Sequence, residues 1–175
     1  MYIPQDRRYP IGPFNPQDHY SSDDLNTILA RIDDSPAQYR ALAATLSPDD
    51  LSKTYREGSW TVQQLIHHVA DIQCLHFFRM KKALTESDYT TVTLIDMDAW
   101  VNTPDATTAP IDDSIRLLEG ITPRYVRLGQ SLTDAQRAIQ YYHPIRQYWV
   151  NQAQALAMSA WHLEHHLAHI RLALD

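Results

Sequence analysis

Apolar side chains recur every three to four residues in four separate segments of the chain, which is the spacing of amphipathic helices. These segments run over about 22–46, 62–84, 111–131 and 152–173. Ser21 or Ser22 can cap the first helix, and TVQQ at 61–64 has the capping-box pattern before the second. Four long helices predict an all-α protein, a four-helix bundle that forms one domain over residues 1–175.

Several segments before and within these helices predict local interruptions. Residues 1–20 are rich in proline and glycine and predict an extended arm. SPDDL at 47–51 predicts a single helical turn with proline at its first position. Pro36 predicts a kink or break in the first helix, and Pro123 lies inside the third.

The region between the second and third helices, 86–110, predicts irregular structure, with TPDATTAP at 103–110 as a loop. A short turn is expected near 133–138. Residues 139–150 are aromatic and β-branched but interrupted by Pro144, which predicts a short hairpin or ribbon before the last helix.

Charge and composition exclude several classes of function. The formal net charge is −6 and no basic run occurs, which argues against a protein that binds nucleic acid through its phosphates. No apolar run of membrane-spanning length and no signal-peptide pattern is present, so a cytoplasmic protein without a membrane partner is expected. The single cysteine, Cys74, cannot form an internal disulfide and is interpreted as a small buried apolar residue.

Histidines are concentrated in two of the predicted helices. The last helix carries four of them in AWHLEHHLAHI at 160–170. At 100° per residue, His162 and His166 lie one turn apart at the edge of the apolar stripe, where an i, i+4 pair can chelate one ion. His165 turns farthest toward solvent, and His169 remains a reserve ligand or a partner of a ligand.

The second helix contributes His67, His68 and His76. His68 lies on the flank of the apolar stripe, His67 lies far from it, and His76 lies inside it as a core histidine. Helix geometry therefore selects His68, His162 and His166.

Three neutral imidazoles suit Zn²⁺ or Ni²⁺ and leave one coordination position for water or substrate. Asp71, one turn after His68, could orient a ligand or handle a proton, although a solvated carboxylate is an equal interpretation. The zincin motif HExxH is absent because Leu163 follows His162, and Glu164 points to another side of the helix. No catalytic general base is identified.

The motifs YREGSWTVQQLIHHVAD at 55–71 and AWHLEHHLAHI at 160–170 resemble the DinB/YfiT-like superfamily, and within it the YfiT branch of metal-dependent hydrolases. This resemblance implies a DinB-type bundle whose metal, zinc or nickel, is held by His68, His162 and His166. It also implies a homodimer.

Some members of that superfamily are thiol S-transferases that act with bacillithiol or a similar small thiol. Arg56 and Arg79 are candidates to line a pocket for such a thiol, although surface arginines are the simpler interpretation. Metal-dependent hydrolysis of a small molecule is thus the first hypothesis. Thiol transfer, a non-catalytic metal-binding module and a helical interaction protein without metal are the alternatives.

Overall fold

Four long helices and one small hairpin form the structure, a computed structural model that describes residues 6–175. In chain order the elements are α1 (Ser22–Ala43), α2 (Pro48–Leu51), α3 (Val62–Thr85), α4 (Met97–Trp100), α5 (Pro104–Thr108), α6 (Ile111–Gln130), α7 (Asp134–Arg137), β1 (Gln140–His143), β2 (Tyr148–Asn151) and α8 (Gln152–Leu174). The predicted all-α bundle with a hairpin before its last helix is confirmed.

The long helices begin where the sequence offers capping residues. Ser21, Thr61 and Asn151 each accept a hydrogen bond from the backbone three residues on, and the side chain there bonds back to the cap. Such reciprocal caps satisfy amide groups that a helix start would otherwise leave unpaired. The caps thereby set where α1, α3 and α8 begin.

Of the kink or break predicted at Pro36, the break is wrong, because α1 continues through this residue; the kink stays a prediction. Proline removes the donor that would bond to the carbonyl four residues earlier, which belongs to Ile32. The Ser35 hydroxyl donates to that carbonyl instead, at 2.8 Å. Both Ser35 and Pro36 are buried, so bundle packing also holds the segment helical.

The predicted loop at 103–110 is wrong in part, because α5 occupies five of its residues. Pro104 takes the first helical position and Asp105 the first turn, both of which favour a helix start. Asp96 caps α4 in the same region. These helices are single turns, too short for apolar periodicity to reveal them.

The bundle core is formed by the facing surfaces of the four long helices. Both α1 and α3 pack against α6 and against α8, so the helices form a closed ring of neighbours. At Gly129 of α6, an added Cβ would lie 2.8 Å from Leu29 Cδ2 and 3.1 Å from Leu156 Cδ2. The absence of a side chain therefore allows α6 to approach α1 and α8 closely.

The hairpin lies beside α3 and α8. Its two strands are antiparallel, and the register pairs His143 with Tyr148. The segment before α4 joins it, since Val92 donates to the Tyr142 carbonyl at 2.9 Å and the Tyr142 amide donates to Thr90 at 2.8 Å. Hairpin and segment together form a wall next to one face of the bundle.

The described part of the arm, 6–20, lacks helix and strand and packs on α8, while residues 1–5 of the predicted arm lie outside the described residues. Trp161 Nε1 donates to the Gly12 carbonyl at 3.1 Å, and Gln154 donates to the Gln17 carbonyl at 3.1 Å. Within residues 6–175, none of the helices combines the length and apolar character needed to cross a bilayer.

Candidate metal centre

The three histidines selected from the sequence meet between α3 and α8. His68 projects from α3, and His162 and His166 project from successive turns of α8. The ring centroids are 5.2 Å apart for His68 and His162, 4.9 Å for His68 and His166, and 4.5 Å for the pair on α8. One ligand atom from each ring lies within 4.8 Å of the other two.

The geometry and charge of this group fit a divalent metal. His68 Nε2 and His162 Nε2 are 3.2 Å apart, and two nitrogens bound tetrahedrally to zinc are separated by about 3.3 Å. Burial lowers the pKa of His68 to about 4 and holds the pKa values of His162 and His166 well below their ordinary value. All three rings are therefore neutral near pH 7, with lone pairs available to an ion.

Trp60 covers one side of the three rings. Its indole lies 4.7 Å from the ring of His68 and 6.4 Å from that of His166. Its Nε1 donates to an Asp98 carboxylate oxygen at 3.1 Å, which ties the indole to α4. Sequence reasoning missed this residue, although its place directly before the α3 cap is a usable signal.

His169 contacts His166 and determines which nitrogen of the His166 ring carries the free lone pair. His169 Nε2 lies 3.1 Å from the Arg7 carbonyl and 3.3 Å from that of Arg8. A carbonyl only accepts, so Nε2 carries the proton and His169 Nδ1 is an acceptor. His166 Nδ1 lies 3.3 Å from it and therefore donates. This leaves His166 Nε2 unprotonated, with its lone pair free for an ion.

A second triplet, His165, His166 and His169, also brings three ligand atoms within 4.8 Å. Both nitrogens of His169 and Nδ1 of His166 are engaged in the hydrogen-bond chain just described. The free lone pairs thus favour the triplet that includes His68.

A cavity of about 100 Å³ adjoins the metal centre between α3, α8 and the hairpin. His162 belongs to both its wall and the three-histidine group. His76, predicted as a core histidine, is buried at this wall with its ring 5.8 Å from that of His162. Arg79 also lines the cavity, whereas Arg56 lies over the Tyr55 ring and donates to a neighbouring carbonyl.

A family profile described as the DinB superfamily matches residues 31–170. This chain belongs to the DinB superfamily. Among curated relatives, it is 40% identical over 170 residues to an Oceanobacillus iheyensis protein named "Putative metal-dependent hydrolase OB0413", and the match covers 97% of this chain and 96% of the relative. Bacillus subtilis YfiT, which carries the same functional name, is 32% identical over 162 residues, or 93% and 90% of the two chains.

Solved structures show a similar four-helix fold. YfiT from Bacillus subtilis, described as a "probable metal-dependent hydrolase with an unusual four-helix bundle topology", superposes with a TM-score of 0.90 at 31% identity. The match covers 95% of this chain and 94% of YfiT. A mycothiol-dependent maleylpyruvate isomerase matches with a TM-score of 0.66 at 17% identity, covering 83% and 60% of the chains, a likeness of fold alone.

In this DinB protein His165 is buried, and the prediction that it turns to solvent is wrong. Its ring stacks on Trp161 at 4.3 Å, and the Tyr9 ring of the arm lies 6.0 Å away. A helical wheel places the residue opposite the bundle core correctly, but the arm covers that side of α8. Long-range packing of residues more than 150 positions earlier therefore decides its environment.

His67 is also buried, although its position far from the apolar stripe predicts exposure. Its Nε2 donates to the Ala109 carbonyl at 3.2 Å, and the Ser114 hydroxyl donates to its Nδ1 at 2.7 Å. These contacts satisfy both ring nitrogens between α3 and α6. His67 thus serves as a buried polar link to Ser114 of α6, whereas the metal centre lies between α3 and α8.

Within the described residues, no hydrogen bond or ion pair joins Asp71 or Glu164 to the three histidines of the metal centre. Asp71 is half-buried beside the charge of Asp105, and no hydrogen bond joins it to a histidine in the described residues. Glu164 forms an ion pair with Arg31 on α1.

Cys74 is partly buried against the core, and burial raises the pKa of its thiol, which makes it a poor nucleophile.

Proposed function

We propose that this protein is a metal-dependent hydrolase of small molecules. The observation that carries the proposal is the meeting of three neutral imidazoles from two helices, with two Nε2 atoms 3.2 Å apart, at the wall of a cavity. Relatives at 32–40% identity over nearly their full length are named as metal-dependent hydrolases, which supports the same assignment.

In this proposal His68, His162 and His166 hold the ion. Three protein ligands are the pattern of catalytic sites, because a fourth position remains for water or substrate. A divalent ion, when bound, supplies a Lewis acid that makes a nucleophile available from water near neutral pH. Because nitrogen donors dominate the site, we propose Zn²⁺ or Ni²⁺ as the ion.

The chain contributes orientation and shielding. His169 keeps His166 in the tautomer that offers Nε2, and the Arg7 carbonyl keeps His169 in turn. Trp60 packs against His68 and limits access of bulk water from that side. His162, which is partly exposed, borders the cavity and so connects the metal centre with the space where a substrate would lie.

Metal content tests the ligand assignment. The protein is purified without an affinity tag, and metal per chain is measured by mass spectrometry for wild type and for His68→Ala, His162→Ala and His166→Ala. Each variant is expected to lose stoichiometric metal. His165→Ala is the matched control, a buried histidine of the same helix that should retain it. Stoichiometric metal in all three ligand variants would refute the site.

Turnover tests the reaction class. Metal-loaded protein is assayed against a panel of chromogenic esters and amides, with metal-free protein and His166→Ala as controls. Hydrolysis that depends on metal and on His166 is expected. A parallel assay follows the electrophile monochlorobimane with and without bacillithiol. Turnover that requires the thiol, with no hydrolysis in the first assay, would replace hydrolysis with thiol transfer.

We also propose that the protein assembles as a homodimer, on the basis of the family resemblance. Light scattering coupled to size-exclusion chromatography measures the molar mass directly. A mass near 40 kDa, about twice the 20.2 kDa of one chain, is expected. A mass of one chain across the accessible concentration range would exclude the dimer.

A further inference from the structure

The cavity beside the metal centre carries positive charge without a matching carboxylate. Among the described residues, its wall contains two arginines, Arg79 from α3 and Arg146 from the hairpin turn, and no aspartate or glutamate. Neither arginine forms an ion pair within residues 6–175. In a protein with net charge −6, a concave site whose charged side chains are both cations favours anions.

Arg79 is held in place at this wall. Its Nε and Nη2 both donate to the Thr93 carbonyl, at 3.0 and 2.6 Å, so the guanidinium is positioned by a neutral acceptor. Its charge is left uncompensated, and burial together with the nearby charge of Arg146 lowers its pKa. A partly buried cation that keeps its charge is stabilised by an anionic ligand.

His76 adds an unsatisfied polar group at the same wall. It is buried, and its Nδ1 has no hydrogen-bond partner among the described residues. Its ring faces that of His162, a proposed metal ligand, at 5.8 Å. A buried imidazole nitrogen without a partner costs free energy, which a bound ligand or water would recover.

The remaining lining is apolar, and part of it is open to solvent. Leu94, Met97 and Ile145 surround the cavity with 41%, 48% and 69% of their surfaces exposed. Ile72 and Leu75 line it as buried residues, and Met158 is partly buried. An apolar cavity of about 150 Å³ can hold benzene, so a volume of about 100 Å³ suits a group of about four carbons.

We propose that this cavity binds a small organic anion, a carboxylate with a short apolar chain, as substrate or product of the metal centre. Arg146 and Arg79 contact the anionic group, His76 supplies a polar contact, and the apolar chain lies against the leucine and isoleucine side chains. This inference rests on the proposed function only in naming the ligand as substrate or product. The binding itself follows from the cavity.

The test is a calorimetric titration of metal-loaded protein with butyrate and, separately, with butyramide, which has the same shape without the charge. Butyrate is expected to bind at least tenfold more tightly than the amide. Arg146→Gln is expected to weaken butyrate binding by about tenfold or more, the effect of removing one charge-assisted hydrogen bond. Binding of the amide is expected to change little.

Arg79→Gln provides a second variant, with thermal unfolding measured to verify that it folds. Arg116→Gln is the matched control, because Arg116 is an exposed arginine on α6 that pairs with Asp112. Metal content is measured for every sample. If Arg79→Gln does not fold, the Arg146 comparison decides alone.

Equal affinities for butyrate and butyramide, or butyrate binding that survives Arg146→Gln, would overturn the inference. In the second case, loss of binding on metal removal would show that the carboxylate binds the metal only. Failure of the proposed function is distinguishable, since it appears as absent hydrolysis or as metal retained by the histidine variants. Arginine-dependent binding of butyrate would stand in either event.

Discussion

Replacing His169 with alanine is expected to weaken metal binding although His169 is not among the proposed ligands. His169 accepts a hydrogen bond from His166 Nδ1 at 3.3 Å and donates to the Arg7 carbonyl at 3.1 Å. Without this acceptor, the proton of His166 can move to Nε2, the nitrogen that is proposed to bind the metal. A proton on Nε2 competes with the metal. Metal binding then has to move this proton back to Nδ1, and the free energy that this requires lowers the metal affinity.

The magnitude follows from the role of a residue that orients a ligand. Loss of such a partner typically costs about 10–100-fold in metal affinity, or about 1.4–2.7 kcal/mol. The His169 ring is 2% exposed and stacks on Tyr55 at 3.9 Å, so alanine also removes packing. His169→Gln separates the two effects, because its amide carries both an acceptor and a donor.

The assay is competition for zinc against a chromogenic chelator at pH 7.5, together with long-range proton–nitrogen NMR of the metal-free protein. His169→Ala should raise the zinc Kd by about 10–100-fold and shift the His166 signals toward a mixture of tautomers. His169→Gln should restore most of the affinity. His165→Ala, a buried neighbour outside the hydrogen-bond chain, should keep the wild-type Kd.

Two results would refute this reasoning. An unchanged zinc Kd in His169→Ala, with the His166 tautomer also unchanged, would show that the hydrogen-bond chain does not orient the ligand. Complete loss of metal in both His169→Ala and His165→Ala, with metal retained in His68→Ala, would transfer the ion to the second triplet.

Three further predictions concern stability. Burial, and to a smaller extent the charge of Asp105, raises the pKa of Asp71 to about 6. The ionised carboxylate is therefore disfavoured in the folded protein. The free energy of unfolding is greatest below the ordinary pKa near 4 and falls as the pH rises through 6. Asp71→Asn should therefore raise the free energy of unfolding by about 1 kcal/mol at pH 7, after allowance for its half-exposure, and by almost nothing at pH 4; a gain of equal size at both pH values would contradict this cause. Gly129→Ala should lower the melting temperature, at a net cost of about 1 kcal/mol, because its Cβ would lie 2.8 Å from Leu29 Cδ2 and the better helix propensity of alanine offsets part of the strain; an unchanged melting temperature would mean that the Leu29 and Leu156 side chains move aside without net cost. Tyr39→Phe should cost about 1 kcal/mol in urea unfolding, since the buried hydroxyl donates to the Leu163 carbonyl at 2.7 Å, and no loss would show that this bond contributes nothing net.

Much of the fold could be predicted from the sequence because its signals are local. Capping residues such as Ser21 and Thr61 act within one turn, and apolar periodicity describes the helix that carries it. The break predicted at Pro36 does not occur, because its outcome depends on contacts made beyond the local sequence pattern. Whether the carbonyl of Ile32 finds another donor depends on the rotamer of Ser35 and on burial in the bundle, which periodicity does not contain.

The sequence by itself determined the four long helices, the fold class and the three histidines that the structure brings together. An i, i+4 pair at the edge of an apolar stripe must lie near the neighbouring helix, and His68 occupies the equivalent edge of that neighbour. Only the tertiary structure decided the burial of His165 beneath the arm, the hydrogen-bond chain from Arg7 through His169 to His166, and the place beside His76 of two arginines that form no ion pair within residues 6–175. Those features join residues from distant parts of the chain, and a helical wheel describes one helix without the segments that pack against it.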